Sequence, residues 1–163
     1  MYSAVALALP VVAMDSASCI QTTHGCIALN PDVTDDTVGR TICKKGYTKS
    51  VRPLPSYTNG VKRRLMNQQG IAPDRAAEYE LDHIVPLAIG GHPHHPSNLV
   101  LQPWEGPLGA KAKDKLESRL QSLICTQRLE LRDAQLCIAE DWVACEARTR
   151  RHLRKPRGQR EGE

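Results

Sequence analysis

Six cysteines, at positions 19, 26, 43, 125, 137 and 145, constrain this chain more than any other feature. They are many for a chain of 163 residues kept in a reducing cytosol. No two are spaced as the CxxC pairs of a zinc knuckle, and six thiols persist more naturally as disulfides in an oxidising compartment. Cys19 and Cys26 can close a short loop, and Cys43 with Cys125 is the preferred long-range pair. Cys137 and Cys145 stand about 12 Å apart along a helix at 1.5 Å per residue, too far to bridge if that helix is unbroken. The N-terminus points to the same compartment. Met1 to Met14 carries no charged side chain, Ala4 to Ala13 is an apolar run broken by Pro10, and Ser16, Ala17 and Ser18 follow. Residues 1–18 therefore look like the hydrophobic and cleavage regions of a secretory signal peptide without its basic start, and export to a periplasm or medium is the expected localisation.

The length suits one domain of ordinary size. With no Phe and only 4% aromatic residues, the core must be built from Leu, Ile, Val and Ala. No apolar run reaches the roughly 18 residues that a membrane-spanning helix needs. The net charge of +4 hides a blocky distribution. Thr41 to Arg75 is basic, Ala76 to Ala147 is mildly acidic, and the chain from Arg148 onward is basic again. Clustered Lys and Arg on a surface attract polyanions.

The chain divides into the signal-like segment 1–18, an irregular cysteine-containing arm 19–55 with room for one short strand, a main domain 56–147 and a basic, disordered tail 148–163. Within the main domain, Ser56 to Asn67 is a helix capped by Ser56, with Tyr57, Val61 and Leu65 on one face. Tyr79 to Leu87 is extended. Gly90 to Ser97, with Gly-Gly and two prolines, is a loop, and Asn98 to Leu101 is a second short strand. Lys111 to Cys125 is the clearest helix, since Leu116, Leu120, Leu123 and Ile124 form a single stripe. Leu131 to Leu153 is a last helix with Ala134, Ile138 and Trp142 along one side. The fold class is α+β.

The informative stretch is Tyr79-Glu80-Leu81-Asp82-His83-Ile84-Val85-Pro86-Leu87, followed by Gly90-Gly91 and then Asn98 to Pro103. Adjacent strand residues point to opposite faces, so Asp82 and His83 can meet at one site only where the backbone bends. A carboxylate beside an imidazole suits a hydrolase: the acid holds a hard cation, and the neutral ring takes a proton from water near pH 7. An amide at Asn98 can tie the loop back to the strands. His92, His94 and His95 read as a solvated loop, and Trp104 as a packing residue.

These residues resemble the HNH endonucleases. The likeness runs through LDHIVPLA with GG at Leu81–Gly91, NLVLQPW at Asn98–Trp104, KDKLE at Lys113–Glu117, and AQ with IAEDW between Ala134 and Trp142. The resemblance implies a ββα-metal core of two antiparallel strands, a loop and a helix, here with extra flanking helices. It implies hydrolysis of phosphodiester bonds in DNA, with RNA as a further substrate. His83 would be the general base, Asp82 the metal ligand and Asn98 the residue that orients the loop, with one divalent cation as cofactor: Mg²⁺ first, Mn²⁺, Ni²⁺ or Zn²⁺ as alternatives. In the non-specific members a metal-binding Asn stands eight residues before a helical Glu. Eight before Glu117 is Gly109, so the cation is left to Asp82 and waters, with Glu117 or Gln102 behind them. Lys62, Arg63 and Arg64, together with Lys111, Lys113 and Lys115, are the expected contacts to the phosphate backbone. The rival expectation is a non-catalytic nucleic-acid-binding protein that keeps this fold with a degraded metal site.

Overall fold

The computed structural model describes residues Cys19–Arg154; the signal-like segment 1–18 and the tail from 155 onward lie outside the described residues. The architecture is α+β. Strands β1 (Cys19–Thr22) and β2 (Gly25–Ala28) form one antiparallel hairpin, and β3 (Tyr79–His83) and β4 (Leu99–Pro103) form a second antiparallel pair. Among the described residues, four α-helices accompany them: α1 (Tyr47–Val51), α2 (Pro55–Gln68), α3 (Ala110–Cys125) and α4 (Leu131–Arg154). Among the described residues no helix is long and apolar enough to cross a membrane.

The core is aliphatic, as a chain without Phe requires. Ile20, Ile42, Val85, Ile89, Leu116, Leu120 and Ile138 are among its most enclosed members. Two of these, Ile20 and Ile42, come from the segment expected to be an irregular arm. That segment carries the β1–β2 hairpin and α1, and it is sewn to the rest of the chain. Ala28 N–H donates to Ser97 Oγ at 3.0 Å, His92 N–H donates to Ala28 O at 3.1 Å, and Gln121 Nε2 donates to Ile42 O at 2.7 Å. Short strands with Gly, Thr and Cys give a weak alternation, which hid the hairpin from a pattern-based reading.

Helix α2 begins at Pro55, with Leu54 as its N-cap residue, so Ser56 does not cap it. Proline suits the first helical position because its missing N–H has no intrahelical partner there. Helix α3 buries Ala110, Lys113, Leu116, Leu120, Leu123 and Ile124, the predicted stripe with one charged member.

All six cysteines are paired: Cys19–Cys26, Cys43–Cys125 and Cys137–Cys145. The first two are the expected pairs. The third was expected to be out of reach only in an unbroken helix, and the helix is broken. Helix α4 is interrupted at Asp141, which is extended (φ −160°, ψ 99°), and the Cα atoms of the two cysteines come within 5.3 Å. Asp141 Oδ1 accepts from Val143 N–H and Ala144 N–H at 2.9 and 3.0 Å, capping the second half of the helix as an N-cap carboxylate does. Arg148 to Arg154 belongs to this helix, so that part of the supposed disordered tail is ordered.

The loop between β3 and β4 is pressed onto the strand end. A Cβ on Gly91 would stand 1.7 Å from Val85 O and 2.7 Å from Asn98 Nδ2. Gly91→Ala is therefore expected to cost on the order of 3 kcal/mol, the range of changes that force backbone out of place, read as a lower denaturant midpoint. An unchanged midpoint would contradict this packing.

Candidate functional site

Strand β3 ends on the two residues of interest. Asp82 pairs with Val100 and His83 with Leu99, and the chain bends immediately after, at Ile84–Val85. Asp82 and His83 thereby line one small cleft of about 60 Å³, which they share with Arg52 from the end of α1, Glu80 from β3, and Asp114 and Glu117 from α3.

The loop that closes over His83 is tied to the strand end by the amide of Asn98. Asn98 is fully buried. Its Oδ1 accepts from Val85 N–H at 2.7 Å, and its Nδ2 donates to Val85 O and to His92 O, both at 3.0 Å. The next carbonyl along the loop, Pro93 O, lies 3.0 Å from His83 Nε2. A carbonyl only accepts, so Nε2 carries the proton and the neutral ring keeps its lone pair on Nδ1. Burial pushes the His83 imidazole below its usual value, against the pull of the Pro93 carbonyl and of Asp82, with Arg52 and Lys113 adding to the lowering. The ring is therefore neutral near pH 7, the state a base needs. The loop histidines have structural work: His92 Nδ1 accepts from His94 N–H and His95 N–H at 3.1 and 3.0 Å.

The acid side of the cleft is organised around Lys113. Its Nζ donates to Asp82 Oδ2 at 2.9 Å, to Glu117 Oε1 at 2.6 Å and to His83 O at 2.8 Å. The side chain is 3% exposed. Burial pulls the ammonium's pKa down, but Asp82 and Glu117 outweigh it and hold it above the usual lysine value. This corrects the expectation that Lys113 joins Lys111 and Lys115 in contacting the phosphate backbone. Residues two apart on a helix lie about 200° apart around its axis, so the three cannot share a side. Lys111, paired with Glu105, and Lys115 are exposed, while Lys113 falls on the buried stripe. On α2, Arg63 and Arg64 are exposed and Lys62 is partly so.

Glu80 and Asp114 complete the carboxylates, and neither was singled out from sequence. Burial, then the charges of Asp82, Asp114 and Glu117, push the Glu80 carboxyl up to about 7. Arg52 was also missed. It is one of four arginines in the basic segment Thr41 to Arg75, and only the fold brings it beside His83. Gln102 is not among the residues that line this cleft, and its Nε2 donates to Leu108 O at 3.0 Å.

The residues present do not fit the expected divalent cation. Asp82 Oδ1 accepts from His83 N–H at 2.7 Å and Oδ2 accepts from Lys113, so both oxygens are engaged. The point shared by Asp82 and Glu117 is held by Nζ. Among the described residues no group of three or more His, Cys, Asp or Glu side chains is arranged to hold a metal ion. Position 109, where a ligand was sought, admits no side chain: a Cβ there would lie 2.6 Å from Glu105 O and 2.7 Å from Trp104 O.

No family model, curated protein or solved structure matches this chain.

Asn98→Ala would strand Val85 N–H, Val85 O and His92 O inside the protein. With each orphaned group costing about 1–3 kcal/mol, a loss on the order of 3 kcal/mol is expected in urea unfolding. A loss below about 1 kcal/mol would show that the amide is not the clamp.

Proposed function

We propose that this protein is an endonuclease that hydrolyses phosphodiester bonds in DNA, and in RNA, with His83 as the general base. The observation that carries this reading is the setting of His83: a neutral, buried imidazole at a strand end, fixed at Nε2 by Pro93 O and lining a cleft with Arg52. Nδ1 takes a proton from water, the water oxygen attacks phosphorus, and the P–O bond to the leaving sugar oxygen breaks. Arg52 offers a fork of N–H donors to the phosphate oxygens as charge builds on them. Asn98 acts through the loop, keeping Pro93 O where it aims the ring. Lys62, Arg63, Arg64, Lys111 and Lys115 bind the backbone without reading sequence. Three disulfides support work in an oxidising, exported setting.

The same cleft supports a second reading, a nucleic-acid-binding protein without turnover, because Lys113 fills the place where the resemblance puts a metal. Plasmid cleavage separates the two. His83→Ala is expected to lower cleavage by about 10²–10⁴, the usual contribution of a general base, with DNA binding retained. Equal cleavage by wild type and variant would remove His83 from the mechanism, and no cleavage by wild type would favour the binding protein.

The pH profile follows from the same ring. Because burial lowers the His83 value, the base form persists below the ordinary imidazole range. The fall of cleavage on acidification should therefore be centred below pH 6.5. A fall centred above pH 6.5 would contradict the assignment.

Binding should weaken steeply with salt, by about 0.9 in the slope of log affinity against log salt for each phosphate neutralised. Replacing Lys62, Arg63 and Arg64 together by Ala should flatten that slope by up to about 2.7. An unchanged slope would place the phosphate contacts elsewhere.

A further inference from the structure

We propose that Lys113 is the resident cation of this site: its ammonium occupies the position between Asp82 and Glu117 that a divalent metal would need, and the site works without one. The activity half of this inference rests on the nuclease reading above; the binding half does not.

Three observations carry it. The first is saturation. An ammonium has three N–H bonds, and those of Lys113 go to Asp82 Oδ2, Glu117 Oε1 and His83 O, at 2.6 to 2.9 Å. The second is enclosure. Lys113 is 2% exposed and stands in the stripe that α3 turns to the core, one turn before Leu116. Its side chain is almost wholly withdrawn from solvent. The third is the donor set. Both Asp82 oxygens already accept a hydrogen bond, Oδ1 from His83 N–H and Oδ2 from Lys113, and the helix offers no further ligand at Gly109, where backbone crowds the Cβ position. Mg²⁺ demands near-ideal octahedral geometry and strips its waters reluctantly, so it would have to displace a charge already bonded to both carboxylates.

Lys113 is on this account a positioning residue. It touches no substrate. It fixes the two carboxylates and, through His83 O, the strand end that carries the base. Arg52 is the cation left facing the cleft.

The test uses the oxidised full chain and Mn²⁺ alone as probe, followed by loss of the free-ion paramagnetic resonance signal. Wild type should take up no Mn²⁺ that depends on Asp82. Lys113→Ala, which leaves two carboxylates facing one another, should gain a Mn²⁺ site, and Mn²⁺ should raise its melting temperature while leaving wild type unmoved. Uptake by wild type that is lost in Asp82→Asn would overturn the proposal. Uptake that survives Asp82→Asn lies elsewhere and agrees with it. If Lys113→Ala does not fold even with Mn²⁺, the wild-type and Asp82→Asn titrations still decide. In a parallel plasmid assay, cleavage unchanged by chelator is expected. Cleavage abolished by chelator and restored by Mn²⁺ would overturn the proposal and keep the nuclease. Absence of cleavage in both conditions would sink the nuclease reading, and the Mn²⁺ titration alone would then judge Lys113.

Discussion

An ammonium held out of water between two carboxylates is the constraint on which the rest of the site depends. Burying such charges costs several kcal/mol per ion, and the cost is offset only where geometry is close and every proton finds an acceptor. Lys113 meets that condition, with Asp82, Glu117 and a backbone carbonyl each taking one bond. Deleting one member of such a cluster typically costs about 3–5 kcal/mol, because it strands the others. The cluster also joins the end of β3 to the first turns of α3. It thereby determines where His83 sits relative to the helix that supplies Asp114 and Glu117.

The second fixed point is the Asn98 amide. It replaces three backbone partners that a tight, glycine-containing loop cannot find for itself, and buried backbone groups must be paired. Gly91 lets the loop backbone come against Val85 O, Asn98 locks it there, and Pro93 O then fixes the tautomer of His83. A rigid loop and a buried ammonium thus orient one imidazole from two sides. Burial lowers its proton affinity, while the Pro93 carbonyl that holds the ring still works against that lowering.

Much of this was legible in the sequence, for identifiable reasons. Helix α3 showed because its leucines repeat at the helical period, and the loop showed because Gly-Gly and two prolines admit no regular structure. Asn98 stood out as an amide after a loop, and Cys43 with Cys125 was correctly paired. The misses share a physical cause. Lys113 was grouped with Lys111 and Lys115 by charge, yet it lies three residues before Leu116 and seven before Leu120, the spacing of the buried stripe. The Cys137–Cys145 bridge hangs on whether the helix is broken, and the local sign of the break is slight: Asp141, two and three residues before the N–H groups it caps. The β1–β2 hairpin and Arg52 were hidden because tertiary contact, and not local pattern, gives them their places.

The central claim is that Lys113 Nζ is locked between Asp82 and Glu117 and is the cation around which the site is built. The most direct measurement is a proton–nitrogen correlation spectrum of the lysine ammonium groups, recorded with and without Mg²⁺. The account predicts one exchange-protected ammonium signal, lost in Lys113→Met and unmoved by Mg²⁺. A Lys113 ammonium that exchanges as fast as those of exposed lysines, or whose signal shifts or disappears as Mg²⁺ is added, would contradict it.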